Sequence, residues 1–135
     1  MKKLYLLMLA LLVTSLSLTS CGGSSSSTPG DIVKKSYKYL ESQDYAKIAN
    51  MYASANGELL TDEEKKKMEG MIGIAAQEQE KNGKITTITI NEENISDDGN
   101  SCKVKYTIEY DSGKTSNEKA DLKLIEGKWY MILKL

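Results

Sequence analysis

The feature that most constrains the fold is a change in the spacing of apolar residues after Gly83. Before Gly83, apolar side chains recur every three or four positions, which predicts amphipathic helices. After it they alternate with polar side chains, as they do in β-strands. The alternation is unbroken over five apolar residues, Cys102, Val104, Tyr106, Ile108 and Tyr110. The chain is therefore predicted to form helices followed by strands, an α+β arrangement.

Three helices are predicted in the first part of the chain. Thr28-Pro29-Gly30-Asp31 is a helix start, with a capping Thr and a Pro in the first turn. Gln43-Asp44 separates this helix from a second one, whose apolar stripe includes Tyr52 and which ends at Asn56-Gly57. A capping box at Thr61-Asp62-Glu63-Glu64 starts the third.

The third helix is predicted to run to about Lys81. Gly70 and Gly73 lower its stability relative to Ala, by up to about 1 kcal/mol each, and are expected to let another backbone approach. The residues expected to be buried on its inner face are Met68, Met71, Ile72, Ala75 and Ala76.

Four strands are predicted after Gly83, beginning with the β-branched run Ile85–Ile90. Turn sequences at Asp98-Gly99, Ser112-Gly113 and Glu126-Gly127-Lys128 connect them as an antiparallel meander. The last strand is apolar on both faces. Trp129, Met131, Leu133 and Leu135 alternate inward, and Tyr130 and Ile132 point outward. This strand is expected either to be central or to contact a partner through Tyr130 and Ile132, for example in a homodimer.

The order of these elements resembles the nuclear-transport-factor-two-like superfamily, also described as cystatin-like, which includes ketosteroid isomerase and polyketide-cyclase-like proteins. The residues that carry the resemblance are Pro29, Asp31–Tyr37, Ser42–Lys47 and Gly127–Tyr130. The resemblance covers Pro29 to Leu135 and is closer still to small bacterial lipoproteins of unknown function. It implies a cone-shaped fold of three N-terminal helices packed on a four-stranded antiparallel sheet.

The N-terminus has the three parts of an export signal. Met1-Lys2-Lys3 is cationic, Leu4–Val13 is apolar, and small hydroxylic residues follow. The stretch Leu18-Thr19-Ser20-Cys21 resembles the lipobox of bacterial lipoproteins. The alternative is an uncleaved anchor helix, since the uncharged segment is at the short limit for a span.

The lipobox resemblance implies that Cys21 receives a diacylglyceryl group and that a peptidase reading Leu18, Thr19 and Ser20 cuts just before it. Acylation of the new amine, as by palmitate, would then hold the chain stably in a lipid bilayer. The predicted organisation is a signal peptide at 1–20, a lipidated cysteine and Gly/Ser tether at 21–30, and one domain at 31–135. Because Gly22 rather than Asp follows Cys21, the resemblance favours the outer membrane, with the domain facing the periplasm.

Composition excludes several classes of function. The chain has no Arg and no His, and its formal net charge is −1. Nucleic acid is therefore not expected as a partner, and neither a metal nor a cofactor is expected. With Cys21 lipidated, Cys102 is the one thiol that remains, and we expect it to be a small apolar residue of a strand.

Tyrosines are the candidate pocket residues. Those expected at the open end of the cone, together with one Trp, are Tyr37, Tyr45, Tyr52, Tyr106, Tyr110 and Trp129. The alternative is that they pack in the core, because the chain has no Phe. Glu118 and Glu126 are the carboxylates on the inward rows.

The preferred function is a membrane-anchored, non-catalytic module that binds a small apolar ligand or a protein. The alternative is a pocket enzyme of the isomerase or cyclase kind, which would use a Tyr and a carboxylate.

Cys21→Ser removes the sulfur that the lipobox would modify. We expect the variant to remain an unlipidated, uncut precursor that no longer fractionates with membranes as the parent chain does. Cell fractionation and the intact mass of the protein measure both effects, and Cys102→Ser serves as the matched control. A Cys21→Ser variant with the parent's fractionation and mature mass contradicts the lipobox interpretation.

Overall fold

The structure is a computed structural model, and it describes residues 27–134. The predicted signal peptide at 1–20, the lipobox with Cys21, and Leu135 lie outside the described residues. Within residues 27–134, each helix is too short or too polar to cross a bilayer.

The described chain contains three helices. Helix α1 spans Pro29–Glu41, α2 spans Tyr45–Ala49 and α3 spans Asp62–Glu80. Both predicted capping boxes are present: the Thr28 hydroxyl caps α1 and the Thr61 hydroxyl caps α3. Short polar sequences therefore determine where these helices begin, because they satisfy backbone N–H groups that have no partner within the helix.

Five strands form one mixed sheet. They are β1 (Tyr52–Ala53), β2 (Ile85–Ile95), β3 (Ser101–Tyr110), β4 (Thr115–Ile125) and β5 (Lys128–Ile132). Their order in the sheet is β1-β5-β4-β3-β2, and every neighbouring pair is antiparallel except β1 with β5. The predicted four-strand meander is present, β2 being longer than the predicted Ile85–Ile90 and irregular in register near Ile90.

The prediction of a purely antiparallel, four-stranded sheet was wrong, because Tyr52 lies on a strand and not on a helix. The second helix ends at Ala49, and Tyr52 and Ala53 pair in parallel with Met131 and Ile132. Backbone hydrogen bonds from Met131 to Met51 and from Leu133 to Ala53 hold this pairing. A pairing between segments about eighty residues apart outweighs the local helical pattern, which is a weak determinant by itself.

The core lies between α1 and the inner face of the sheet. All five alternating residues of β3 are buried, as predicted, and they pack with Val33 of α1, Leu122 of β4 and Met131 of β5. Strand β5 lies between β1 and β4, and its outward residues Tyr130 and Ile132 are partly buried. A homodimer through these two residues stays a prediction.

Helix α3 packs differently from the prediction. Met68 and Ala76 are buried and Ile72 is partly buried, but Met71 and Ala75 are exposed. The reason is that α3 packs mainly against the short helix α2 and covers little of the sheet, so only a narrow stripe is buried.

The expectation for the α3 glycines was wrong too. An added Cβ would meet the Tyr45 ring at 3.6 Å at Gly73, and no atom within 4 Å at Gly70. Neither glycine therefore serves a close approach of another backbone within the described residues.

Leu122→Ala removes a side chain that is 1% exposed at the centre of the core. We expect the free energy of unfolding to fall by about 2–5 kcal/mol, because the cavity left behind collapses only partly. Urea unfolding measures the change. The control is Leu59→Ala, whose side chain is 47% exposed. Equal losses in the two variants would contradict this account of the core.

Candidate functional site

A cavity of about 350 Å³ lies between the helices and the sheet. We call it the central cavity. Tyr37 of α1, Ile72 and Gln79 of α3, Tyr106 of β3 and Met131 of β5 contribute to its wall, so every layer of the fold takes part. The cavity is a product of the tertiary structure, because no two of these five residues are close neighbours in the sequence.

The free edge of β4 forms one side of the central cavity. Strand β4 pairs with β5 only from Leu122 onwards, and Lys119, which lies before that point, lines the cavity. The Tyr110 N–H donates to the Lys114 carbonyl, so these two residues form a hydrogen-bonded pair of β3 and β4. In an antiparallel ladder such pairs recur at every second residue. By this alternation, the backbone groups of Asn117 and Lys119 point away from β3, where no described strand pairs with them.

Two tyrosine hydroxyls meet at the cavity wall. The Tyr37 and Tyr106 hydroxyl oxygens are 2.9 Å apart, and their rings are packed edge to face with centroids 5.8 Å apart. One hydroxyl donates to the other. The donor of the pair keeps a free lone pair and the acceptor keeps a free O–H, so the pair still offers one donor to a ligand.

Burial raises the pKa of both phenols. For Tyr37 the increase is large, and the neighbouring Tyr106 and the Glu118 carboxylate add to it. Burial also raises the pKa of Tyr106, with Glu118 again contributing, and raises that of Tyr52. Glu118 is exposed beside this cluster and accepts a hydrogen bond from the Ser116 hydroxyl at 2.5 Å. At neutral pH the tyrosines are therefore uncharged hydrogen-bonding groups.

The structure brings together only part of the predicted pocket. Tyr37, Tyr52 and Tyr106 line the central cavity, whereas Tyr110 and Trp129 do not. Tyr110 is buried in the core and Trp129 is partly buried against it, as the alternative of core packing predicts.

Sequence reasoning missed Gln79 of α3. Its side-chain nitrogen Nε2 is buried and has no hydrogen-bond partner within the described residues. A glutamine within a helical sequence gives no signal of such a position. Only the tertiary structure shows that Gln79 lines the cavity.

A second cavity of about 820 Å³ adjoins the first. Leu40, Ala76 and Gln79 line both, so they form the partition between the two spaces. Tyr45, a pocket candidate from the sequence, lines this second cavity.

The described residues offer neither a cluster of metal ligands nor a reactive cysteine. Residues 27–134 contain no cluster of three or more His, Cys, Asp or Glu placed to hold a metal ion. Cys102 is 3% exposed, and burial, with a contribution from Glu93, raises the pKa of its thiol. A buried thiol with a raised pKa is a poor nucleophile.

The fold is the NTF2-like (nuclear-transport-factor-two-like) fold, an α+β class in which helices cover one face of a curved sheet. The chain is similar to the crystal structure of a Campylobacter jejuni protein described as a candidate NTF2-like transpeptidase. Their identity is 23%, the match covers 80% of this chain and all of that one, and the TM-score is 0.63. It is also similar to the solution structure of a SEC-C motif containing protein from Rhodopseudomonas palustris. That match has 10% identity, covers 78% and 76% of the two chains, and has a TM-score of 0.51.

The chain belongs to the family described as a domain of unknown function (DUF4878), whose profile matches residues 19–132. No curated protein matches it significantly. Structural similarity at these identities establishes the fold and not an activity.

Tyr37→Phe tests the electrostatics of the tyrosine cluster. Because the pKa of Tyr37 is higher in the folded than in the unfolded chain, its contribution to stability is complete below about pH 10 and is lost as pH rises further. We expect the parent chain to lose stability above that pH more steeply than the variant, by up to about 1.4 kcal/mol per pH unit. Urea unfolding from neutral to alkaline pH measures both slopes. Tyr39→Phe is the control, and a Tyr37→Phe slope equal to the parent's contradicts the assignment.

Proposed function

We propose that this protein is a membrane-anchored binding module that holds a small, uncharged ligand in the central cavity without transforming it. The observation that carries the proposal is the pair of hydroxyls of Tyr37 and Tyr106 at the wall of a partly apolar cavity. Cavities of this size with a few polar groups among apolar side chains are typical of small-molecule sites.

The lining favours a ligand with an apolar body and a hydrogen-bonding end. Ile48, Ile72 and Met131 supply apolar surface. The free O–H of the tyrosine pair is a donor, and a carbonyl or ether oxygen of the ligand can accept from it.

The charge of Glu118 disfavours an anionic ligand beside the tyrosine pair, and Lys119 lines another part of the cavity wall. Glu118 lies close enough to Tyr37 and Tyr106 to raise both pKa values, and it would repel a second negative charge there in the same way. At the rim, Lys134 is paired with Asp121, so its charge is partly neutralised. An uncharged ligand avoids the repulsion and uses the same hydrogen bonds.

The anchor in this proposal is the lipobox cysteine. Thr28, the cap of helix α1, lies seven residues after Cys21, and the intervening residues are Gly and Ser. A flexible segment of this length has an end-to-end distance of about 15 Å, so lipidation of Cys21 would hold the cavity close to a bilayer. The location that follows is the cell envelope, at the periplasmic face of the outer membrane.

A pocket enzyme is the second candidate, and the observation that favours it is Glu118 beside two tyrosines. In a proton-transfer reaction the carboxylate would accept a proton while a tyrosine donates to the developing oxyanion. The carboxylate, however, is exposed, and its charge raises the tyrosine pKa values, which opposes stabilisation of a nearby anion. Binding without catalysis therefore fits the site better.

The transpeptidase description of the Campylobacter neighbour does not fit this cavity. Acyl transfer needs a nucleophile activated by a base. Among residues 27–134, Ser36 is the one serine in the central cavity's wall. It is buried, and its hydroxyl donates to the Val33 carbonyl at 2.6 Å. The chain has no His to activate it.

Binding of N-phenyl-1-naphthylamine, an uncharged dye that fluoresces in apolar surroundings, tests the proposed site. We expect saturable binding of one dye per chain, and weaker binding of its anionic relative 1-anilinonaphthalene-8-sulfonate. Ala120→Leu fills part of the central cavity. It should lower the affinity for the uncharged dye by about tenfold or more, which corresponds to about 1.4 kcal/mol of binding free energy.

The matched control is Ala46→Leu, which adds the same atoms at an exposed position of α2. Circular dichroism establishes that both variants are folded. Equal dye affinity in the two folded variants, or preference for the anionic dye, overturns the proposal. Turnover of an uncharged carbonyl compound that is lost in Glu118→Gln would support the enzyme instead.

A further inference from the structure

The outer face of helix α3 carries apolar side chains with no partner in the described part of the chain. Ile74 is 67% exposed and Met71 is 51% exposed. Exposed apolar residues at this spacing form a stripe, unlike single ones scattered over a surface.

The stripe has the spacing of a helix–helix contact. Lys67, Met71, Ile74 and Glu78 follow one another at intervals of four, three and four residues, which places them in one line along the helix. Gly70 and Ala75 flank this line on its two sides. We call these six residues the α3 stripe. Apolar groups lie at its centre, and a cation and an anion lie at its ends.

Gly70 is unexplained by the fold of a single chain. A glycine inside a helix weakens it relative to Ala. A Cβ at Gly70 would meet no atom within 4 Å, so packing within the chain does not require its absence. A glycine on an exposed helix face lets a second helix approach closely from outside.

We propose that the α3 stripe pairs with the same stripe of a second copy of this chain, with the two helices antiparallel. A two-fold axis passing between Ile72 and Gly73 brings each residue opposite its complement. Met71 faces Ile74 of the other copy, Gly70 faces Ala75, and Lys67 faces Glu78. The contact is therefore self-complementary, as a two-fold symmetric interface must be.

Charge selects the antiparallel orientation. A parallel pairing in register would place Lys67 against Lys67 and Glu78 against Glu78, and like charges at facing positions repel. Within one chain these residues form only exposed ion pairs, Lys67 with Glu63 at 3.3 Å and Lys81 with Glu78 at 2.8 Å. Exposed pairs contribute little, so both groups are free to exchange partners across the interface. The antiparallel arrangement also opposes the two helix dipoles.

The size of the stripe indicates a reversible dimer. Six residues on about three helical turns bury less than the roughly 1,200–2,000 Å² of a standard stable interface. Association of this kind depends on concentration. This inference does not require the ligand proposed for the central cavity: Ala75 belongs to both the stripe and the cavity wall, but Met71 and Ile74, which form the centre of the stripe, do not line the cavity.

Cysteine cross-linking of the full-length chain tests both the contact and its orientation. Met71→Cys lies close to the two-fold axis and should form a disulfide-linked dimer under mild oxidation. Lys67→Cys alone should not, because residues 67 and 78 are eleven positions apart, or about 16 Å along the helix. Mixing the Lys67→Cys and Glu78→Cys chains should give the adduct. Glu80→Cys, exposed on the opposite side of α3, and the parent chain are the controls.

Charge reversal gives a second, independent readout in the Met71→Cys background. Lys67→Glu should lower the adduct yield, corresponding to an affinity about tenfold weaker, since two pairs per dimer change from attraction to repulsion. Adding Glu78→Lys should restore it. Gly70→Leu should abolish the adduct while the chain keeps its thermal stability, because Leu is the better helix former.

Three results overturn the proposal. One is a Lys67→Cys self-adduct, which indicates a parallel pairing. Another is an equal yield from Glu80→Cys, which indicates random collision. The third is a folded Met71→Cys chain that gives no adduct but shifts the emission of a dye attached at position 71 when vesicles are added, which assigns the stripe to a lipid surface.

Discussion

The structure depends on burial of the inner row of β3 against α1. Five alternating side chains from Cys102 to Tyr110 share one core cluster with Val33, and Val104 among them is fully buried. This contact joins the helical and the strand halves of the chain, and both neighbours of β3 take their register from it. Helix α1 is also held at its start, where the Gly30 N–H donates to the Glu93 carboxylate at 2.5 Å. The rest of the fold is arranged around this layer.

The central cavity follows from a mismatch in strand length. Strand β4 continues past the end of β5, so part of its edge has no strand neighbour, and the helices bridge the gap without filling it. Tyr37 and Tyr106 share one hydrogen bond between their hydroxyls at this place, and one O–H stays free. Because the chain has no Phe, a residue with a polar end occupies positions that an apolar ring would otherwise fill. Tyrosines that help to fill the core therefore also supply the polar groups of the cavity wall.

Helix α3 is the element least attached to the sheet, and its two sides have different consequences. Its inner side contributes Ile72 and Gln79 to the central cavity, and its outer side carries the α3 stripe. An element that is held mainly by the short helix α2 can move with less loss of buried surface than one packed on the core. Pairing of two stripes would restrain α3 from outside, and with it one wall of the cavity. The ligand site and the dimer contact therefore lie on the same helix and share Ala75, whereas Met71 and Ile74 belong to the contact alone.

The sequence by itself determined the elements whose cause is local. Thr28 and Thr61 begin helices because their hydroxyls bond to nearby backbone N–H groups, and the alternation from Cys102 to Tyr110 sets one face of a strand inward. Only the tertiary structure decided the rest. Tyr52 joins a strand because its partner is Met131, far along the chain, and Met71 is exposed because α3 covers α2 and not the sheet. The cavity needs several elements at once, so three of the predicted tyrosines reach it and Tyr110 does not. Local hydrogen bonds and periodicity are properties of neighbouring residues, whereas a cavity is a property of how distant segments meet.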